Sequence, residues 1–150
     1  MDWRDYLFSF EGRISRGQFW SFALFLIPYA VAAAFLAHRL AGNWLKPDFM
    51  LMLPAYYPAA AIAVKRLHDR DRSFRLAVLF VAVPLLDNFV RLWAPAPPPA
   101  AGQLPQYTPQ LALELVNFAV ALWALFELGV YRGTKGANRY GPDPLEGISA

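Results

Sequence analysis

The stretch "AAAIAVKRLHDRDRSFRLAVLF", Ala59 to Phe80, joins two apolar runs through the densest charge in the chain. Seven of the ten residues from Val64 to Ser73 are ionisable. A soluble chain could expose such a segment anywhere, so its meaning depends on the flanks. Both flanks belong to long apolar segments. Four such segments recur along the chain, at about 19–38, 49–66, 74–93 and 111–131. A bilayer-crossing helix needs about 20 predominantly apolar residues, within a range of about 17 to 25. The second segment is short by that measure, and it reaches full length if Lys65 and Arg66 snorkel their stems toward the interface. The spacing therefore predicts an all-α integral membrane bundle of four transmembrane helices in a single membrane domain.

Composition points the same way. The 150 residues are 57% hydrophobic and only 17% charged, against about 25% charged in a soluble domain. A chain of this length has too little interior to hide that much apolar surface from water. There is no cysteine, which excludes a disulfide framework, a thiolate metal site and a thiol nucleophile. The first apolar run begins at Phe19, behind Asp2, Asp5 and Glu11, whereas the region preceding a signal-peptide core is short and basic; a retained span is expected.

Basic residues set the orientation. Four spans place eleven of the fourteen on one face, Arg4, Arg13, Arg16, the 65–75 group, Arg132, Lys135 and Arg139, and only Arg39, Lys46 and Arg91 on the other. Positive charge is retained in the cytoplasm, so both termini and the "KRLHDRDRS" loop are expected there. Trp20 and Tyr131 then fall at the inner interface, Trp44, Trp93 and Tyr107 at the outer one, and Trp123 packs between helices in mid-span. The prolines at 28, 54, 58 and 84 lie inside the first three spans and remove backbone donors there. The outer stretch "APAPPPAAGQLPQYTPQ" reads as an extended spacer.

Ahead of the first span, Trp3, Tyr6, Leu7 and Phe10 recur at helical spacing on one face. This predicts a short helix lying in the inner interface. In "ISRGQF", Ser15 and Gln18 form a capping box, and Ile14 and Phe19 a hydrophobic staple.

Chemistry-bearing residues are sparse. Metal centres need three or four protein ligands, and the second histidine, His38, falls on the opposite face from His68; neither a metal nor another cofactor is expected. His-Glu-x-x-His, Gly-x-Ser-x-Gly and a phosphate loop are absent. Nothing points to nucleic acid. Within the spans, Asp87 has Arg91 at i+4, a helical ion-pair spacing. Glu127 lies about one turn from the inner end, with Arg66, Arg70 or Arg132 as expected partner, and Asn88 and Asn117 can hydrogen-bond between helices. Asp87, Asn117 and Glu127 are the intramembrane polar candidates.

Three blocks carry a resemblance: "FEGRISRGQFW" (Phe10 to Trp20), "VKRLHDRDRS" (Val64 to Ser73) and "GTKGANRYGPDP" (Gly133 to Pro144). In this order they resemble domain-of-unknown-function family 805, small bacterial inner-membrane proteins. The resemblance implies a multi-span protein of the bacterial inner membrane and no established activity. The charge count places all three blocks on one face, so Arg13, Arg16, Arg66, His68, Asp69, Arg72, Asn138, Arg139 and Asp143 are expected to converge in one cytoplasmic cluster. Gly12, Gly136 and Gly141 are expected to supply turns of positive φ, and Pro142 and Pro144 to stiffen the tail.

Three readings of that cluster stay open. The first is a non-enzymatic membrane protein whose cluster locks the fold and binds anionic phospholipid, a protein partner or a second copy of itself. The second is a small transporter or channel component. The third is a membrane enzyme acting on a phosphorylated lipid, with His68 as base and arginines clamping phosphate.

Overall fold

A computed structural model of the chain describes residues 2–40, 47–93 and 109–146. All regular elements among these residues are helical: α1 (Trp3–Phe8), α2 (Arg16–Leu40), α3 (Pro47–Asp69), α4 (Arg75–Trp93) and α5 (Pro109–Ala124), which runs directly into a π-helical segment, Leu125–Val130. Each of the four apolar segments read from the sequence is helical. Two stretches, Arg16–Arg39 and Leu111–Val130, are long and apolar enough to cross a membrane. The outer aromatic positions Trp44 and Tyr107, the Trp93 side chain and the proline-rich stretch as far as residue 108 lie outside what the structure describes, and the last two residues of that stretch, Pro109 and Gln110, open α5 instead of extending the spacer.

Helix α2 starts where the sequence says it must. Ser15 Oγ accepts from the Gln18 N–H at 3.3 Å, and Gln18 Oε1 accepts from the Ser15 N–H at 2.8 Å. The box thus satisfies two donors at the helix end. Ile14, fully buried, packs with Phe19 beside Phe22 and Ile62. The interior prolines sit within α2, α3 and α4. Pro54 has no N–H for the Met50 carbonyl, and the Tyr29 hydroxyl of α2 donates to the neighbouring Leu51 carbonyl, fastening α2 to α3 at the loosened turn. Asn88 donates to the Pro84 carbonyl and to the Tyr56 hydroxyl, both at 2.9 Å.

Consecutive helices pack on one another, α2 on α3, α3 on α4 and α4 on α5. The π segment then touches both α2 and α3, closing the bundle at that end. Ala63, Val64, Leu67, Ala77, Phe80 and Leu128 form the core there, and Phe80 meets the Trp123 ring edge-on at 5.4 Å, the inter-helix role expected for Trp123. The short helix α1 is pinned through its last carbonyls, because Lys65 Nζ caps those of Asp5 and Tyr6 and the Tyr57 hydroxyl caps that of Phe8. Its apolar face divides, with Tyr6 and Leu7 packed inward while Trp3 is 60% exposed.

Polarity is arranged inside out. Leu24, Phe25, Val31 and Phe118 are each more than 60% exposed, whereas Lys65 and Arg66 are completely buried. This corrects the snorkelling expected of Lys65 and Arg66. Both side chains turn inward, because helix-end carbonyls inside the bundle offer them acceptors.

The π segment packs closely on α2. The Gly129 carbonyl accepts from Trp20 Nε1 at 3.1 Å, and a β-carbon on Gly129 would lie 2.9 Å from the Trp20 ring. Gly129→Ala should push Trp20 away and lower stability by about 1–3 kcal/mol, read as an earlier thermal midpoint in detergent with altered tryptophan emission.

Candidate functional site

The charged segment that follows the α3 core ends its helix with a specific turn. The Arg72 N–H returns to the Leu67 carbonyl and the Asp71 N–H to that of His68. This is a Schellman-type ending, which places one residue in the left-handed region, usually glycine. Here that residue is Asp71, at φ 56°. Arg139 holds it there, donating to the Asp71 carbonyl at 2.7 Å and pairing with its carboxylate at 2.9 Å.

That ending aims Asp69 into the protein, and Asp69 is the centre of the site. Its Oδ1 accepts from Arg13 Nε and Nη2 at 3.2 and 3.0 Å, and its Oδ2 pairs with Arg66 Nη1. All three side chains are at least 95% buried. Arg13 comes from the loop before α2, and its remaining donors reach the carbonyls of Thr134, Gly136 and Gly141. The backbone of Asp69 joins in, its carbonyl accepting the Thr134 N–H at 2.8 Å and the Thr134 hydroxyl at 3.0 Å. Gly133 lies against the carboxylate so closely that any β-carbon would fall inside it.

A second set of donors closes the end of the π segment. The last carbonyls of a helix have no donors of their own. Five consecutive carbonyls are capped by side chains: Glu127 by Arg70, Leu128 by Arg66, Gly129 by Trp20, Val130 by Arg16 and Tyr131 again by Arg66. Cations are favoured at this negative end of the helix dipole. Glu127 is 4% exposed. Its Oε1 is in ion-pair contact with Arg70 and 3.2 Å from Arg72 Nε, although neither approach has hydrogen-bond geometry. Its partners are therefore Arg70 and Arg72. Arg66, one of the expected partners, is taken by Asp69, and no pairing joins Glu127 to Arg132.

His68 stacks on Tyr140, with ring centroids 3.8 Å apart and planes 5° from parallel. Its Nδ1 lies 3.3 Å from the Gly12 carbonyl. A carbonyl only accepts, so the neutral ring carries its proton on Nδ1. Asn138 donates to the His68 carbonyl and to the Thr134 hydroxyl, both at 2.9 Å. Burial pushes the His68 pKa down, the Gly12 carbonyl partly opposes this, and Arg139 adds to the depression. Asp143 accepts the Leu145 and Gly136 N–H groups, which hold its carboxyl below the usual range.

Arg13, Arg66, His68, Asp69, Asn138 and Arg139 thus occupy one connected network, and Gly12, Gly136 and Gly141 all have positive φ. Arg72 and Arg16 lie to one side of the network, serving Glu127 and Val130. Asp143 shapes the tail turn and pairs with no arginine. Sequence reasoning passed over Thr134, Gly133 and Tyr140, and it placed Lys65 at the interface instead of inside. A Gly-Thr-Lys-Gly loop has no periodicity that reveals which group meets Asp69; the Asp-Arg-Asp-Arg run at a helix end is the one signal that marked Asp71. Asp87, buried in α4, pairs with Arg91 at 3.2 Å and accepts from Asn117 of α5 at 2.9 Å. Glu127 is ten residues further along that helix, about 15 Å away at 1.5 Å per residue, so these three residues make two separate clusters.

Comparison with known proteins follows from this geometry. The family described as "Protein of unknown function (DUF805)" matches residues 7–142. The chain is 33% identical over 143 residues to the uncharacterized protein YiiR of Escherichia coli K12, covering 93% of this chain and 88% of that protein. It is 30% identical over 140 residues to the inner membrane protein YhaI of the same strain, covering 92% and 87%. No solved structure matches.

Asp69→Asn leaves Arg13 and Arg66 buried around a neutral group. Breaking such a pair costs about 3–5 kcal/mol, so the variant should lose its cooperative thermal unfolding or melt far earlier; a wild-type midpoint would remove Asp69 from the centre. A separate effect follows from His68. Its folded pKa lies below its unfolded value of about 6.5, so the unfolded chain binds the extra proton. Stability is then full above about pH 6.5 and falls as pH drops from there to the folded pKa. His68→Phe, which keeps a ring against Tyr140, should remove that part of the acid sensitivity.

Proposed function

We propose that this chain, which belongs to the DUF805 family, is a non-enzymatic four-span protein of the bacterial inner membrane. Both termini and the Asp69 network face the cytoplasm, the network locks the inner end of the bundle, and the basic rim around it meets anionic phospholipid. A protein partner or a second copy is the other occupant that this face can accept.

The observation that carries the reading is the disposition of polarity. Large apolar side chains cover the outside of α2 and α5 while Arg13, Arg66 and Lys65 lie within. A core helix of a soluble protein is mostly buried, but these two helices are about 11% buried across their apolar windows. Lipid is the solvent that suits such a surface, since spanning helices satisfy their backbone internally and need no water there. The printed name of YhaI, an inner membrane protein, supports the location. Eleven basic residues on one face support the orientation.

The same geometry weighs against the alternatives. A phosphate clamp at His68 needs free guanidinium groups beside it, and Arg13 and Arg66 give their donors to Asp69 and to backbone carbonyls. His68 as a general base would need an open approach, but one ring face is covered by Tyr140 and Nδ1 is directed at Gly12. A transport path needs polar groups in sequence along the bundle, and Asp87 and Asn117 join Arg91 and, through it, Glu114, with Asn117 about 15 Å from Glu127.

The chain has no native cysteine, so single labels report topology directly. Ser73→Cys should resist a membrane-impermeant maleimide in intact spheroplasts and react after permeabilisation, whereas Ala100→Cys should react at once. The opposite pattern would overturn the orientation.

A further inference from the structure

Sorting the basic residues of this face by what they touch leaves a pattern. Arg13 and Arg66 hold Asp69, Lys65 holds two carbonyls, Arg70 and Arg72 hold Glu127, and Arg139 holds Asp71. Arg4, Arg75, Arg132 and Lys135 have no hydrogen-bond or ion-pair partner among the described residues, and Arg16 has only the Val130 carbonyl at 3.2 Å. Of these, the exposed Arg16, Arg132 and Lys135 line one cleft of about 250 Å³, between the start of α2 and the tail that follows the π segment, while Arg4 and Arg75 lie outside it.

We propose that this cleft binds a phosphate-bearing anion, held by Arg16, Arg132 and Lys135. The proposal rests on the membrane reading above and gives its anionic ligand a specific seat. Two carboxylates also line the cleft, and both are occupied. Asp69 is neutralised by Arg13 and Arg66, and Asp143 accepts the Gly136 and Leu145 N–H groups. Asp143 keeps its negative charge in the cleft, but the three cations Arg16, Arg132 and Lys135 outnumber it, and an entering anion meets net positive charge. The guanidinium fork matches phosphate oxygens in pairs, while a lysine adds a mobile point charge. The volume suits a headgroup or a small phosphate compound and not an acyl chain as well. Arg16 opens α2, the longest apolar helix, so the cleft lies at the level where lipid phosphates meet the cytosol. A lipid headgroup and a soluble phosphate present the same chemistry to it.

The test uses the full-length protein in nanodiscs, with thermal midpoint read against probe concentration, since a ligand that binds only the folded state raises the midpoint. One arm titrates inorganic phosphate into phosphatidylcholine nanodiscs. The other replaces phosphatidylcholine stepwise with phosphatidylglycerol. Wild type should respond in at least one arm, phosphate alone identifying a soluble ligand and phosphatidylglycerol alone a headgroup. Arg132→Gln/Lys135→Gln should fold normally, because neither side chain has an internal partner. It should bind roughly 30-fold more weakly, about fivefold for each surface cation removed. Arg4→Gln/Arg75→Gln removes equal charge outside the cleft and should bind like wild type. No wild-type response in either arm, a response that the cleft variant retains, or an equal loss in the control would overturn the site. Reversed cysteine labelling would instead overturn the orientation and leave this titration standing.

Discussion

One carboxylate shared by two buried arginines governs the polar end of the helical bundle. Removing three charges from water is costly, and the attraction among them compensates only when every remaining donor finds an acceptor. Here the acceptors are backbone carbonyls from two separate parts of the chain, the tail and the end of the π segment. Arg13 reaches the tail, Arg66 reaches the end of the π segment, and the Asp69 backbone takes Thr134. The ion cluster cannot form unless the loop before α2, the end of α3 and the tail are already in register. It therefore specifies the arrangement of the helices more than it adds net stability.

The π segment belongs to the same solution. A wider helical turn leaves a run of carbonyls without intrahelical donors, and arginine and tryptophan side chains from α2, α3 and the following turn take them. A helix end near the apolar part of a bilayer has no water to satisfy it. Covering it with cations also places positive charge at the negative end of the dipole. Lys65 does the same for α1. Burying Lys65 and Arg66 completely while leaving Phe25 and Phe118 outside would be perverse in water. It is reasonable where the surroundings are hydrocarbon and the interior supplies the polar groups.

Once those demands are met, the charges separate into two populations. Most basic residues on this face are committed to internal acceptors. Arg132 and Lys135 are not, and the fold gathers them with Arg16, whose single acceptor is the Val130 carbonyl, around one cleft. The charge-dense loop thus has a structural explanation through Asp69, Asp71 and the Schellman-type ending, and the capacity to bind an anion shifts to residues that flank it.

The sequence by itself determined the helical class, the four apolar segments, the capping box at Ser15 and Gln18, the three positive-φ glycines and the meeting of Arg13, Arg66, His68, Asp69 and Asn138. Each of these rests on local spacing, on charge asymmetry or on a resemblance carried by contiguous blocks. Apart from the Asp87–Arg91 pair, which i+4 spacing already marks, tertiary structure decided who pairs with whom. Glu127 chose Arg70 and Arg72, Lys65 turned inward, and Thr134 and Gly133 closed over Asp69. Those choices depend on where carbonyls and close backbone approaches fall after the helices pack, and hydrophobic periodicity carries no record of an unpaired carbonyl. The division between arginines that lock the fold and cations left free was likewise hidden, because in the sequence all of them are the same positive charge.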